Sequence, residues 1–94
     1  MKHILEKHIE DKVCRYARNL GFLAYKFTSP GRISVPDRIM IPPQGNIFFI
    51  EFKMKGKKPT KLQEREHERL RERFVDVYVI DNIEEGYALI RSKM

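Results

Sequence analysis

The chain has 94 residues, 41% of them hydrophobic, and a formal net charge of +6 at pH 7. A chain of this length buries only about 60–65% of its unfolded surface, so we expect one domain over residues 1–94. The charge favours polyanionic partners, and the lone Cys14 excludes a disulfide framework or a cysteine-based zinc cluster. Since no apolar run reaches the roughly 20 residues of a membrane span and no signal-peptide pattern is present, we expect an intracellular protein.

The first half of the chain opens with a helical pattern over residues 3–20, which ends at Gly21. Its apolar stripe contains Ile9, Val13, Tyr16, Ala17 and Leu20. A strand is predicted over residues 22–28. Residues 29–36 are rich in turn formers and are predicted to form a loop.

A β-hairpin is predicted from two apolar runs, residues 37–41 and 46–54. A three-residue connection, 43–45, sets Gly45 at the left-handed position that such loops need. This register pairs residue 42 with residue 46, and therefore residue 37 with residue 51. Asp37 and Glu51 are then cross-strand neighbours on one face, with Cβ atoms roughly 5 Å apart.

The second half of the chain alternates helix and strand. A helix over residues 60–74 starts at a capping box formed by Thr60 and Gln63. A strand follows at residues 75–80, and Asp81-x-x-Glu84 is predicted to cap a last helix. The order α-β-β-β-α-β-α predicts an α/β domain in which helices flank a mixed four-stranded sheet.

The segment Glu51-Phe52-Lys53 is the main candidate for chemistry, because side chains at i and i+2 of a strand share a face. Without Asp37, a solvated ion pair at a strand end explains this spacing equally well. With Asp37 opposite Glu51, two carboxylates repel each other unless a cation lies between them. Hard oxygen ligands select Mg²⁺ or Mn²⁺, and Lys53 is placed to orient a water or to neutralise charge developing on phosphorus.

Three further side chains are candidates for this site. Glu10, on the buried stripe of the first helix, can add a third carboxylate or pair with a neighbouring lysine; Glu6, one turn earlier, is its rival. Gln63 can be fully employed by the capping box, or it can also reach inward to a carboxylate, the lysine or a water. The histidine on the same helix, His67, is predicted to be a surface or rim residue.

Basic residues follow the candidate site along the chain. The predicted nucleic-acid-binding residues are Lys26, Arg32, Arg38, Lys55, Lys57, Lys58 and Lys61. A run of lysines is usually a solvated loop, but this one leads directly out of the site and favours contact with phosphates. The alternating Glu and Arg residues of the helix at 60–74 are predicted to be a solvated ion-pair face.

The combination of Glu10, Pro36-Asp37, Glu51-Phe52-Lys53 and Gln63 resembles the VRR-NUC (virus-type replication-repair nuclease) family of the PD-(D/E)XK nuclease superfamily, in its short stand-alone form. The resemblance spans roughly residues 6–80. It implies a restriction-endonuclease-like α/β core. It also implies phage or bacterial origin, a homodimer, and metal-dependent cleavage of branched DNA such as Holliday junctions.

The same resemblance implies a role for each matching residue. Asp37, Glu51 and the main-chain carbonyl of Phe52 would bind the metal, and Lys53 would be the catalytic lysine. Glu10 matches the acidic residue of the first helix, and Gln63 matches the glutamine that follows the core. The cofactor implied is Mg²⁺ or Mn²⁺, and the location implied is the cytoplasm of a bacterium or a phage-infected host.

Two functions without catalysis remain alternatives. A basic nucleic-acid-binding module explains the lysines, but it does not explain a glutamate on a core strand facing Asp37. An accessory subunit would use the charged helix at 60–74 to dock a larger replication or repair protein. Magnesium-dependent cleavage separates both from a nuclease.

Overall fold

The computed structural model describes the backbone of residues 2–32 and 34–94, and the side chains of residues 5–32 and 34–94. Three helices and four strands follow one another in the predicted order, which confirms the α/β fold class. They are α1 (Lys2–Asn19), β1 (Leu23–Lys26), β2 (Arg38–Ile41), β3 (Phe48–Phe52), α2 (Lys61–Arg71), β4 (Val77–Ile80) and α3 (Ile83–Ser92). Every strand begins later than predicted, and β1 and β3 also end earlier.

The four strands form one mixed sheet in the order β1-β2-β3-β4. Strand β2 runs antiparallel to both β1 and β3. Strands β3 and β4 are parallel and are joined through α2. This leaves β1 as one edge of the sheet and β4 as the other. Within the described residues, no helix is both long and apolar enough to cross a membrane.

The hairpin has the predicted register. Arg38 pairs with Ile50 and Met40 pairs with Phe48, so one further step puts Asp37 opposite Glu51. Gly45 adopts a φ of 91°, and its N–H donates to the carbonyl oxygen of Pro42 at 2.9 Å. Residue 45 therefore turns the chain through the left-handed region, where a glycine avoids the cost of a Cβ atom.

Helices α1 and α3 cover one face of the sheet. Their buried side chains, such as Val13 and Ile90, join Phe48 and Ile50 in the core. The two helices approach closely at Gly86, where a Cβ atom would lie 2.3 Å from Cγ2 of Val13. Large residues at that position would separate α3 from α1.

The start of α3 differs from the prediction. Its N-cap is Asn82, whose side-chain oxygen accepts from the N–H of Glu85 at 2.8 Å. Asp81 instead accepts from the N–H of Gly56 at 3.0 Å and thereby holds the loop after β3. Asp and Asn are both good N-cap residues, so the sequence allows a cap at position 81 or at position 82, and the contact of Asp81 with the loop at Gly56 leaves Asn82 as the cap.

Helix α2 lies on the opposite face and covers the part formed by β3 and β4. It starts at the predicted capping box, and Arg71 near its end donates to the carbonyl oxygen of Val77 at 2.7 Å. The part of this face formed by β1 and β2 lacks a covering helix among the described elements. Leu23 and Tyr25 there are 47% and 53% exposed.

Candidate functional site

Asp37 and Glu51 meet where β2 begins and β3 ends. Oδ2 of Asp37 accepts from the backbone N–H of Phe52 at 2.7 Å, which fixes the carboxylate against β3. Burial, and then the neighbouring charge of Glu51, raises the pKa of Asp37 to about 6. The hydrogen bond from Phe52 opposes this shift but does not cancel it. The pair is therefore costly to ionise fully in the absence of a cation.

Glu51 is buried, with only 2% of its surface exposed. It lies on the face of β3 that α2 covers, because side chains alternate along the strand and Phe52 points into the core on the other face. The Nζ atom of Lys53 is 3.8 Å from its Oε2. Its Oε1 has no hydrogen-bond partner among the described residues. A buried carboxylate oxygen without a partner is expensive unless a ligand completes it.

Gln63 both closes the capping box of α2 and contacts the carboxylate of Glu51. Its Oε1 accepts from the N–H of Thr60 at 2.9 Å and so closes the capping box. Its Nε2 donates to Oε2 of Glu51 at 3.2 Å. A long amide side chain has a donor end and an acceptor end, so one residue can fix the start of α2 and hold a carboxylate of the site.

The prediction that His67 lies at the surface or rim is wrong. His67 is 1% exposed, and its Nε2 is 3.5 Å from Oε1 of Glu51. It follows Gln63 by four residues, so both side chains extend from the same face of α2 towards the same carboxylate. That spacing was the available signal, but charged residues on both sides of His67 obscured it.

Arg38 is also placed differently from the prediction. Its side chain is buried rather than on the nucleic-acid surface, since it follows Asp37 by one residue and therefore faces α1. Its Nε donates to Oε2 of Glu10 at 2.6 Å, and its Nη1 donates to the carbonyl oxygen of Ala24 at 3.2 Å. A buried guanidinium needs such partners, and Glu10 supplies the charge.

The carboxylate of Glu10, predicted as a third metal ligand, thus forms an ion pair with Arg38. Among the described residues, no group of three or more His, Cys, Asp or Glu side chains is arranged to hold a metal ion. Glu10 and its rival Glu6 are nonetheless close enough that their charges contribute to the raised pKa of Asp37. The influence of both residues on the site is therefore electrostatic.

The remaining donors suit a magnesium-type ion. Mg²⁺ typically takes one or two carboxylates and fills its other positions with water and substrate phosphates. Asp37 and Glu51 provide two carboxylates, one with an unpartnered oxygen. The N–H of Phe52 points at Asp37, and N–H and C=O of one strand residue point to the same side, so its carbonyl also faces the site.

The predicted basic residues divide into two groups. The five lysines predicted to bind nucleic acid are all exposed: Lys26, Lys55, Lys57, Lys58 and Lys61. The last four lie at or just before the start of α2, in the segment that leads out of the site. Arg32 is exposed as well, but its Nε donates to Oε1 of Glu66 at 2.9 Å. Glu66 is buried, so this pair is more than a solvated surface contact.

No protein-family model matches the chain. A curated relative, "Putative nuclease p44" of Acyrthosiphon pisum secondary endosymbiont phage 1, is 46% identical over 82 residues, which cover 87% of this chain and 88% of the relative. A solved structure described as "VRR_NUC domain" superposes with a TM-score of 0.87 at 33% identity, and the match covers 95% of this chain and 97% of that one. Sequence and fold thus agree with the resemblance carried by Asp37, Glu51 and Lys53, and the chain belongs to the VRR-NUC nuclease family.

Proposed function

We propose that this nuclease is an Mg²⁺- or Mn²⁺-dependent endodeoxyribonuclease. The observation that carries the proposal is the pair Asp37 and Glu51: the pKa of Asp37 is raised, Oε1 of Glu51 has no hydrogen-bond partner among the described residues, and Lys53 lies 3.8 Å from Oε2 of the same carboxylate. A basic binding module has no need of such a pair, because a buried glutamate next to a partly buried aspartate repels DNA and destabilises the fold.

In this proposal Asp37, Glu51 and the carbonyl of Phe52 hold the metal. The ion supplies two effects when bound: it polarises a phosphate oxygen, and it lowers the pKa of a bound water. Gln63 keeps the carboxylate of Glu51 in place through its 3.2 Å hydrogen bond. Glu10 acts indirectly, by neutralising the buried Arg38 and by adding negative potential at Asp37.

Lys53 acts on the phosphate rather than on the metal. Its ammonium group lies 3.8 Å from Glu51, and its side chain is 15% exposed, so it is held at the mouth of the site. A cation held there stabilises the negative charge that develops on the phosphate oxygens in the transition state. The exposed lysines after β3 bind flanking phosphates and contribute affinity rather than rate.

The proposed substrate is branched DNA, with the four-way junction as the expected form, and the proposed location is a bacterial or phage-infected cell. Symmetric resolution of a junction requires two active sites related by a two-fold axis, which a homodimer supplies. The family resemblance implies both the branched substrate and the homodimer, and a net charge of +6 favours a polyanionic substrate.

The surface that joins the two copies is proposed to be the uncovered part of the sheet. Helix α3 offers little apolar surface for this contact, since Ile90 is fully buried and Tyr87 stacks on Tyr16 at 4.3 Å. Leu23 and Tyr25 are instead exposed on adjacent positions of one sheet face. A second copy would remove this apolar patch from water.

The test is a panel of labelled linear duplex, flap and four-way junction DNA, incubated with Mg²⁺, with Mn²⁺ or with a chelator. We expect metal-dependent cleavage, fastest on the junction, with paired nicks at symmetric positions. Sedimentation at micromolar concentration should give twice the chain mass of 11.3 kDa.

Each negative outcome has its own meaning. DNA binding without cleavage under any metal condition would support the non-catalytic binding module. Neither binding nor cleavage would favour the accessory subunit. A monomer that cuts only flaps would contradict the dimer and the junction preference, but it would not contradict the proposed metal site.

A further inference from the structure

A cleft lined by arginines lies beside the nuclease site, between the loop before β2 and helix α2. Its volume is about 500 Å³, within the range of about 300–1,000 Å³ that is usual for ligand clefts. We call it the arginine cleft. Its principal lining residues are Arg32, Ser34, Leu62, Arg65, Glu66 and Arg69. Three guanidinium groups face a single carboxylate, so the charge of the lining is positive.

The buried carboxylate organises two of these arginines. Oε1 of Glu66 lies 2.9 Å from Nε of Arg32 and 3.6 Å from Nε of Arg69. The side chain of Glu66 is only 9% exposed, whereas both partners in an ordinary surface pair of this chain, Lys7 and Asp11, are well exposed. Glu66 therefore holds Arg32 of the loop by a hydrogen bond and forms a looser ion pair with Arg69 of the helix.

The terminal nitrogens of these arginines remain available. Within residues 5–32 and 34–94, Nη1 and Nη2 of Arg32 and Arg69 have no hydrogen-bond or ion-pair partner, and the same is true of the whole Arg65 side chain. A guanidinium held at Nε and open at its Nη groups is suited to bind phosphate oxygens in pairs. An anion with several oxygens fits this arrangement better than a single carboxylate.

The position of the cleft indicates which phosphate it takes. The loop that carries Arg32 and Ser34 runs directly into Asp37, and the helix that carries Arg65 and Arg69 also carries Gln63, which contacts Glu51. If the scissile phosphate lies at the two carboxylates, the occupant expected in this cleft is a neighbouring phosphate of the same strand. The Glu and Arg pattern of α2, predicted to be a solvated ion-pair face, includes on this side the buried Glu66, which contacts Arg32 and Arg69.

We propose that the arginine cleft binds a backbone phosphate of the cleaved DNA strand, close to the scissile position. The inference rests on the proposed nuclease function and extends it with a binding subsite. Each phosphate contact that is lost should reduce the slope of log K against log salt by about 0.7–0.9. The effect should fall on DNA affinity and its salt dependence.

The test compares two double variants of equal charge. Arg65→Gln with Arg69→Gln empties the cleft of two exposed arginines, while Arg15→Gln with Arg18→Gln removes two exposed arginines of α1. Binding of labelled junction DNA is measured by anisotropy in chelator between 50 and 200 mM salt, and thermal melting checks that both variants fold. We expect the cleft variant to bind at least about tenfold more weakly, with a slope reduced by about 1, and the control to change about twofold or less.

Equal losses in the two double variants would overturn the cleft assignment, because they would show that only net charge matters. If the wild type cuts DNA in that case, the proposed function survives and the subsite alone fails. A wild type that neither binds nor cuts DNA would overturn both proposals.

Discussion

Lys53→Ala should lower the single-turnover rate of DNA cleavage by about 10²–10³-fold while DNA affinity changes little. The ammonium group is held at the carboxylate pair, 3.8 Å from Glu51, so its stabilising effect is greatest when charge develops on the phosphate. Loss of an interaction made mainly in the transition state reduces kcat and leaves ground-state binding nearly unchanged. Rapid-mixing cleavage assays and anisotropy in chelator measure the two quantities separately.

Lys57→Ala is the matched control, because it removes the same charge from an exposed position in the segment after β3. It should weaken binding and reduce the salt slope by about 1, and it should leave the rate at saturating DNA nearly intact. Since Lys53 also partners a buried glutamate, Lys53→Arg serves as a second variant that keeps the charge. A near wild-type rate in Lys53→Ala would remove Lys53 from the catalytic role.

Asp37→Asn should abolish metal-dependent cleavage and stabilise the metal-free protein above pH 6. The pKa of Asp37 is about 6 in the folded chain against an ordinary value of 3.8, so between these values the folded state holds the extra proton. The free energy of unfolding of the wild type therefore falls as the pH rises from about 4 to 6. Asparagine does not ionise, and its oxygen can still accept from the N–H of Phe52.

The expected gain at pH 8 is about 1 kcal/mol, after allowance for the solvent screening of a partly exposed carboxylate. Urea unfolding at pH 4 and pH 8, with chelator present, measures it. Asp11→Asn, on the exposed part of α1, is the control and should change stability by a few tenths of a kcal/mol at most. A metal-free Asp37→Asn protein that is less stable than the wild type at pH 8 would contradict the repulsion argument.

The hairpin shows what local sequence can determine. Its register follows from a three-residue connection with Gly45 at the left-handed position, and from runs of alternating side chains on either side. These are short-range constraints, and a slip of one residue would separate Asp37 from Glu51 on opposite faces. The carboxylate pair was therefore predictable without any tertiary information.

The partners of buried charges were not predictable in the same way. Arg38 pairs with Glu10 across 28 positions in the chain, and Arg32 pairs with Glu66 across 34. Which acid neutralises which base depends on how α1 packs on the sheet and how the loop before β2 lies on α2. In the sequence alone, a basic residue next to Asp37 is as consistent with DNA contact as with a buried ion pair, because the direction of its side chain is not known.

Helix α2 illustrates the same limit. Its spacing of Glu and Arg side chains is typical of a solvated helix, and only the fold reveals that Glu66 and His67 are buried. His67 reaches Glu51 because β3 lies beneath α2, a contact between residues 16 positions apart. Helical periodicity predicts which side chains share a face, but it does not predict what that face covers.

The central claim is that Asp37 and Glu51 together hold a divalent metal, and calorimetric titration of Mn²⁺ at pH 8 without DNA tests it most directly. At this pH Asp37 is ionised, since its pKa is about 6. The wild type should bind the ion, and Asp37→Asn and Glu51→Gln should each weaken binding at least about tenfold, while Asp11→Asn should match the wild type. Undiminished Mn²⁺ affinity in both site variants would contradict the account.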